Sequence, residues 1–497
     1  MSVAKKFTLG LYWNILGKLF FSALGFLISV AIARGLGKDD LGIYASLLAI
    51  PVVLRLFTSF GFETILNIFL PAQDVLPEGK KKIRFLVKRL LFYRFFIIIG
   101  ISFALSFGRS FLGQIIHSFN FSNYYVIIIL YFAVLLLSSY SNMILRAVMQ
   151  IKLVSILECF AQILNLLFLV CFFSYSRSVY TPLLAFIIAN IIVTVVSLIM
   201  AKSYILGESI ACDTKQLFNI GFTGFIGSIL VFGLGRQIDI LIMNYFGVSN
   251  SNIGYYYLSF SLAAMVSILL QGIGSLSQSV FSQKYTTEGQ KGLKISWEMV
   301  TKVSIILSIP FYIFAIFFAK DILTIFYGKQ YLEATNLFQV IAVFNSLDIL
   351  IGSGFCMPVF YLINRKTEAL KIFFFSGMLN LVLDIILIPK YGVIGAVYAT
   401  GLSSILSGLL MLQLVIKIIK VQYPIVFSSK VIVISLLAIL PTLVFNGDGI
   451  LLILISKAVI YFTCFALIAM VFKPLRYEER NFVKMVDDRL YAIVKYF

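Results

Sequence analysis

Apolar stretches recur along the chain from Phe7 to Phe472, separated by short polar segments. A hydrocarbon core ~30 Å thick is crossed by ~20 helical residues, and each stretch is long enough to span it. The pattern predicts fourteen spans, starting near Phe7, Leu41, Leu90, Tyr124, Leu153, Thr181, Leu217, Gly254, Val300, Leu337, Leu370, Val393, Val431 and Leu451. Backbone polar groups in lipid must pair internally, so the spans are expected to be helices. The alternating ~10-residue segments of a β-barrel are not seen. The first span is longer than a signal-peptide core and no small-residue cleavage pattern follows it, so it is expected to stay as the first helix. The predicted fold class is an all-α polytopic membrane protein of about 14 transmembrane helices.

Polar residues interrupt these spans at helical spacing. The first span carries Asn14, Lys18, Ser22, Gly25 and Ser29, and the second Pro51, Arg55, Ser59, Glu63 and Asn67. Further sets are Glu158, Gln162 and Asn165; Ser267, Gln271, Ser275 and Gln278; Asn345, Asp348 and Gly352; and Ser376, Asn380 and Asp384. At 3.6 residues per turn each set shares one face of its helix. Several one-sided polar faces suit a common water-filled cavity; small and polar faces that only glue helices together are the competing reading.

Charge sharpens the picture. Ten ionisable groups fall inside the spans: Lys18, Arg55, Arg94, Arg236 and Lys457, with Glu63, Glu158, Asp239, Asp348 and Asp384. Each costs ~2.5–3.5 kcal/mol at the centre of a helix on insertion scales and needs a partner, water or a purpose. Lys18 lies ~16 Å into its span at 1.5 Å per residue, too deep to snorkel easily. Arg55 is similarly deep. Arg94 and Lys457 lie near inner span ends and are expected to snorkel, and Asp384 near an outer end is expected to be solvated. Arg236 and Asp239, three residues apart, suit either an ion pair or a cavity role.

The remaining charge is topological. The formal net charge is +19 and the mean hydropathy +1.02. Of 40 Lys and Arg, 28 fall in the N-terminus, the even-numbered loops and the tail, and 7 in the odd-numbered loops. Positive loops stay cytoplasmic, so both termini are predicted inside. The basic residues then serve orientation and contact with anionic membrane lipids rather than nucleic acid. The tail after Phe472 reads as a cytoplasmic surface helix. Five cysteines without C-x-x-C spacing and a single histidine, His117, suggest no disulfide, metal or cofactor site. No nucleotide-binding glycine loop occurs, and the loops are too short and Lys-rich for an expected enzymatic domain.

The segment between residues 202 and 216 divides the chain. Turns on either side of it repeat: residues 37–44 (GKDDLGIY) and 247–256 (GVSNSNIGYY) each end in Gly-x-Tyr, with Gly42 and Gly254 212 residues apart. This predicts two six-helix bundles around a central cavity, residues 1–210 and 211–420, and two added helices with the tail in residues 421–497.

Residues 380–400, NLVLDIILIPKYGVIGAVYAT, resemble the N…LIP-x-[YF]-G-[IV]-x-G-A-x-x-[AS]-T stretch of polysaccharide-type flippases, members of the multidrug/oligosaccharidyl-lipid/polysaccharide exporter superfamily. Residues 33–37 (ARGLG) with 41–44 (LGIY) resemble the family's first outer turn, residues 236–241 (RQIDIL) its seventh-helix pattern, and residues 325–331 (IFYGKQY) with Ala334 a later outer turn. The resemblance covers nearly the whole chain. It implies an O-antigen-type or capsule-repeat flippase of a bacterial inner membrane, which moves an undecaprenyl-diphosphate-linked oligosaccharide to the outer leaflet by alternating access. It also implies partners in the polymerase and chain-length proteins of the same pathway. Basic side chains suit the diphosphate and amides and hydroxyls the sugars, making Lys18, Arg55, Arg236, Asn14 and Gln271 the candidate substrate-binding residues. Asp239, Glu63, Asp348 and Glu158 are the candidates for ion coupling or ion pairing. The alternative within the superfamily is an ion-coupled exporter of small cations or drugs, against which the last two helices argue. A membrane enzyme of the same pathway is the third reading.

Overall fold

The computed structural model describes residues 3–74, 76–117, 119–212, 215–232, 235–444 and 449–472. Side chains are described within these ranges except at 3–16, 115, 215–216, 220, 223, 227, 230–232, 268–276 and 279. The expected surface helix after Phe472 lies outside the described residues.

The described chain is built of helices, and twelve of them are long and apolar enough to cross a bilayer. They are α1 (Val3–Gly35), the first piece of α2 (Lys38–Phe57), α3 (Gly79–Phe107), α4 (Tyr125–Ala147), α5 (Ile151–Phe173), α6 (Tyr180–Met200), Val280–Phe317, which contains α9 (residues 290–317), Lys329–Ile351, which contains α10 (Thr335–Ile351), α11 (Lys366–Tyr391), α12 (Val393–Ile419), α13 (Ile425–Leu443) and α14 (Ile450–Phe472). α2 has two pieces, α2a (Lys38–Phe57) and α2b (Phe62–Asp74). Between α6 and α10 lie α7a (Lys215–Phe232), α7b (Arg236–Tyr245) and a 68-residue run that bends at Gly289 (φ 60°, ψ −144°), giving α8 (residues 250–288) and α9 (residues 290–317). With α7 and α8, fourteen helical segments follow the order predicted from the apolar pattern.

The helices divide into two compact units, one of residues 1–258 with 381–396, the other of residues 259–380 with 397–497. The first has a core of α2b, α3, α4 and α5 side chains, among them Leu66, Leu86, Leu90, Phe69 and Tyr140. The second is centred on Trp297, Phe281, Phe355, Phe360 and Val415.

Two close approaches shape the first unit. The repeated turns meet reciprocally. A Cβ on Gly42 would lie 1.8 Å from the Asn250 carbonyl oxygen, and one on Gly254 would lie 2.7 Å from that of Lys38. Ser251 Oγ also donates to Asp39, its counterpart 212 positions earlier. The second approach breaks α2. Phe60 and Gly61 both have positive φ (44° and 71°), and Gly61 lies so close to α7a that a Cβ there would sit 1.8 Å from the Gly221 carbonyl oxygen. The polar set read as one face of a continuous second helix is therefore interrupted: Glu63 starts a new helix and points elsewhere than Arg55 would dictate.

The basic first turns of α3 are tied to the segment after α6 by carbonyl and carboxylate contacts. Arg84 Nε donates to Ser203 O (3.0 Å), Lys88 Nζ to Gly207 O (3.0 Å), and Lys81 pairs with Glu208 at 3.1 Å. The Lys81 ammonium holds the Glu208 carboxyl below the usual carboxylate range.

Candidate functional site

Five helices of the first unit line a cavity of about 470 Å³, with α6 contributing Phe186 and Asn190. α1 supplies Lys18, α2a Arg55, α4 Ser138, Ser139, Asn142 and Arg146, and α5 Glu158 and Gln162. Helix spacing explains the convergence. Ser138, Asn142 and Arg146 are four residues apart on α4, as Glu158 and Gln162 are on α5, so each set presents one polar edge. α1 reaches α5 closely through Gly17, where a Cβ would lie 2.7 Å from Ser155 Cβ. Three cations thus face one carboxylate. Glu158 Oε1 accepts from Arg146 Nη2 at 2.7 Å and lies within electrostatic reach of Lys18. One positive charge is matched and the cavity keeps a cationic excess, suited to an anion with several oxygens.

The cavity brings together Lys18, Arg55 and Glu158 of the residues singled out from sequence. Arg146 was not among them. The Ser138–Asn142–Arg146 spacing carries the same signal that marked α1 and α5.

Glu63 and Arg94 form a different arrangement. Arg94 is fully buried and does not snorkel, contrary to the sequence reading. Arg94 Nη2 donates to Glu63 Oε1 at 2.7 Å, and Nη1 to Leu136 O (2.7 Å) and Ser139 Oγ (3.4 Å). The guanidinium lies over Tyr140 at 4.8 Å and Phe62 at 5.8 Å from the ring centroids. Arg55 is within electrostatic reach of both members of this pair.

Arg236 sits apart from the cationic cavity, over the Tyr257 ring at 5.3 Å. Tyr131 stands within reach of both Arg55 and Tyr257, so tyrosines connect the two positions. Asp239 is buried, accepts from Tyr256 Oη and shares a hydrogen bond with the Asp384 carboxyl. Asp384 is fully buried; its expected solvation at an outer helix end does not occur, because α11 runs on to Tyr391 beyond it.

In the second unit, Asp348 and Asn345 line a small cavity of about 130 Å³ with Phe344, Thr400 and Ser404. Ser353 Oγ donates to Asp348 Oδ1 at 2.6 Å. Lys457 lies over the Phe318 ring at 5.2 Å. The side chains of Asn14 and Gln271 lie outside the described residues. No cluster of His, Cys, Asp and Glu suited to a metal occurs among the described residues.

The fold is shared with solved membrane proteins. A solved structure titled lipid II flippase MurJ, inward closed conformation, superposes with a TM-score of 0.76 at 17% identity, covering 92% of this chain and 98% of its own. An inward-facing multidrug resistance MATE family transporter of the MOP superfamily gives 0.63 at 12% identity, covering 80% and 94%. A family model described as polysaccharide biosynthesis protein matches residues 31–336. The chain belongs to that family. Among curated proteins, an uncharacterized membrane protein, MJ1068 of Methanocaldococcus jannaschii, is 23% identical over 98% of this chain and 100% of its own length. The probable low-salt glycan biosynthesis flippase Agl15 of Haloferax volcanii is 24% identical over 38% of this chain and 40% of its own.

Proposed function

We propose that this protein moves a polyprenyl-diphosphate-linked oligosaccharide from the cytoplasmic to the outer leaflet by alternating access. The observation that carries the reading is the cavity in which Lys18, Arg55 and Arg146 face a single carboxylate. A diphosphate offers several charged oxygens, and charge-assisted hydrogen bonds to them are roughly twice as strong as neutral ones. Ser138, Asn142, Gln162 and Asn190 add groups that suit sugar hydroxyls. Undecaprenyl as carrier, an O-antigen or capsule repeat as cargo, and a bacterial inner membrane with both termini cytoplasmic belong to the same proposal. Their support is the family membership and the uneven distribution of Lys and Arg.

The Asp239–Asp384 pair is the proposed coupling element. Two carboxyls that hydrogen-bond to each other hold a proton between them, and buried away from water they cannot both be ionised without a cation. Uptake and release of that proton or cation would couple transport to a gradient. Glu63 and Glu158, each bonded to an arginine, are proposed as pairing residues, and Asp348 remains a second candidate for coupling.

Lys18→Ala, Arg55→Ala and Arg146→Ala are expected to block export while the protein persists in the membrane, with lipid-linked oligosaccharide accumulating in the cytoplasmic leaflet. Lys18→Arg is expected to keep partial activity. Wild-type surface polysaccharide in cells carrying all three Ala changes would overturn the reading. Drug efflux that survives those changes and depends on Asp239 would favour the exporter alternative.

A further inference from the structure

The cationic cavity is graded along α4. At one end Arg146 bonds to Glu158, and Lys18 is within electrostatic reach of the same carboxylate. At the other end Ser138 Oγ donates to Asn190 Oδ1 at 3.4 Å, and Asn190 Nδ2 donates to the Phe186 carbonyl at 2.9 Å. Ser138 and Arg146 are eight residues apart on α4, ~12 Å at 1.5 Å per residue. Long helical side chains lean toward the helix N-terminus, so Arg146 reaches from its own level toward Ser138. Asn142 stands between them. Its carbonyl oxygen accepts from Ser197 Oγ at 3.2 Å, which leaves its N–H groups for the cavity.

The uncharged end holds an aromatic ring that the anion reading does not use. Phe186 and Asn190, one turn apart on α6, both line the cavity. The Phe186 ring is stacked on Tyr131, with centroids 4.4 Å apart and planes 18° apart. Tyr131 is buried and does not line the cavity. It therefore backs one face of Phe186 and leaves the other to the cavity, and it fixes the ring before any ligand arrives. Asn190 keeps a second N–H beyond the one given to the Phe186 carbonyl. A fixed ring face beside an amide is the pairing that a pyranose requires. Its C–H face carries slight positive charge and suits the negative face of a π system, while its hydroxyls lie at the rim, where an amide can meet them.

We infer that Phe186 is the platform for the sugar next to the diphosphate, so that the head group lies along α4 with its phosphates toward Arg146 and its first ring on Phe186. This rests on the proposed substrate class and adds the residue that reads the sugar. Asn190 and Ser138 meet the hydroxyls of that ring, and Asn142 the oxygens between ring and phosphates. The stacking is selective more than it is strong: a diphosphate without a sugar gains nothing from Phe186.

The test uses the full-length protein in lipid nanodiscs and displacement of labelled inorganic diphosphate. Glucosyl diphosphate and methyl diphosphate are the soluble competitors, equal in charge. Wild type is expected to prefer the glucosyl compound about fivefold, the size that one aromatic contact supplies. Phe186→Leu keeps apolar bulk without the ring; it is expected to bring the two competitors level while inorganic diphosphate binds as before. Phe186→Tyr is expected to keep the preference. So is Phe21→Leu, which alters the other aromatic residue of the cavity, three residues from Lys18 on α1. Asn190→Ser is expected to lower the preference about twofold, and decides the matter if Phe186→Leu does not accumulate. Equal competition in wild type would overturn the inference. So would a preference that survives Phe186→Leu, an equal loss in Phe21→Leu, or an undiminished preference in Asn190→Ser. Inorganic diphosphate that no longer binds Phe186→Leu would also overturn it, by placing the ring with the phosphates rather than the sugar. These outcomes leave the diphosphate reading standing; inorganic diphosphate that fails to bind wild type would overturn that reading and the inference with it.

Discussion

The Arg94–Glu63 pair allows a structural role to be separated from a coupling role by arithmetic. Arg94 is fully buried and Glu63 is 22% exposed. Breaking a buried pair by removing one partner costs ~3–5 kcal/mol, because the other charge is left uncompensated. Arg94→Met removes the pair, the donation to the Leu136 carbonyl and the stacking on Tyr140; the partial exposure of Glu63 softens the penalty. A loss of ~3–4 kcal/mol follows. Glu63→Gln leaves Arg94 charged, yet still held by the carbonyl and the ring, so ~2–3 kcal/mol is expected. The double variant retains no buried charge and should lose ~3–4 kcal/mol, well short of the sum, giving a coupling of ~2 kcal/mol.

The assay is equilibrium unfolding of the purified protein in mixed micelles, with all four members of the cycle at one protein concentration. Additive single effects, within ~0.5 kcal/mol, would mean that the two residues do not act as a pair. A Glu63→Gln protein of wild-type stability whose transport no longer responds to the proton gradient would move Glu63 from the pairing group to the coupling group.

Glu158→Gln removes the carboxylate that engages Arg146 and is expected to tighten inorganic diphosphate binding about tenfold, read by displacement in nanodiscs; weaker binding would show that Glu158 positions Arg146 for the ligand. Gly42→Ala forces a Cβ to within 1.8 Å of the Asn250 carbonyl oxygen and should cost upwards of ~2 kcal/mol or prevent accumulation. Gly100→Ala, with nothing within 4 Å of the new Cβ, should leave stability unchanged or raise it by up to ~1 kcal/mol. Lys81 lowers the folded-state pKa of Glu208, so their contact contributes above the usual glutamate range and is lost as pH falls through the depressed value; protease sensitivity of the 202–212 segment should rise only in acid, and Lys81→Ala should remove that pH dependence. Asp239→Asn and Asp384→Asn are each expected to leave protein in the membrane and to abolish the response of transport to an ion gradient; loss of protein together with activity would make the pair structural.

The apolar rhythm made the helices legible because spanning a bilayer requires a length of uncharged helix that few other folds contain. The break in α2 was not legible. Thr58, Ser59, Phe60 and Gly61 sit inside an apolar pattern, and the cause of the break is Gly221, 160 positions away, pressing on Gly61. The cationic cavity was half legible. Depth and sign picked out Lys18 and Arg55, whereas Arg146 fell at a span end where basic residues ordinarily mark the cytoplasmic side. Its partner Glu158 was visible on α5, but a pairing between neighbouring helices has no fixed sequence spacing.

Pairing also decides which charges are free to work, and this is where the sequence reading changed most. Along the chain, Arg236 and Asp239 are three residues apart and Arg94 and Glu63 are thirty-one apart, so proximity favours the first pair. In the fold it is the distant pair that bonds at 2.7 Å, while Arg236 lies on Tyr257 and Asp239 turns to Tyr256 and Asp384. An arginine on a tyrosine ring keeps its charge and most of its donors, whereas one bonded to a carboxylate in a buried site has spent both. Arg94 is therefore held by its partners rather than left as a ligand for the cavity. Lys18 and Arg55, with Arg146 partly matched by Glu158, remain the proposed anion ligands, and the two buried carboxyls on α7b and α11 the proposed coupling pair.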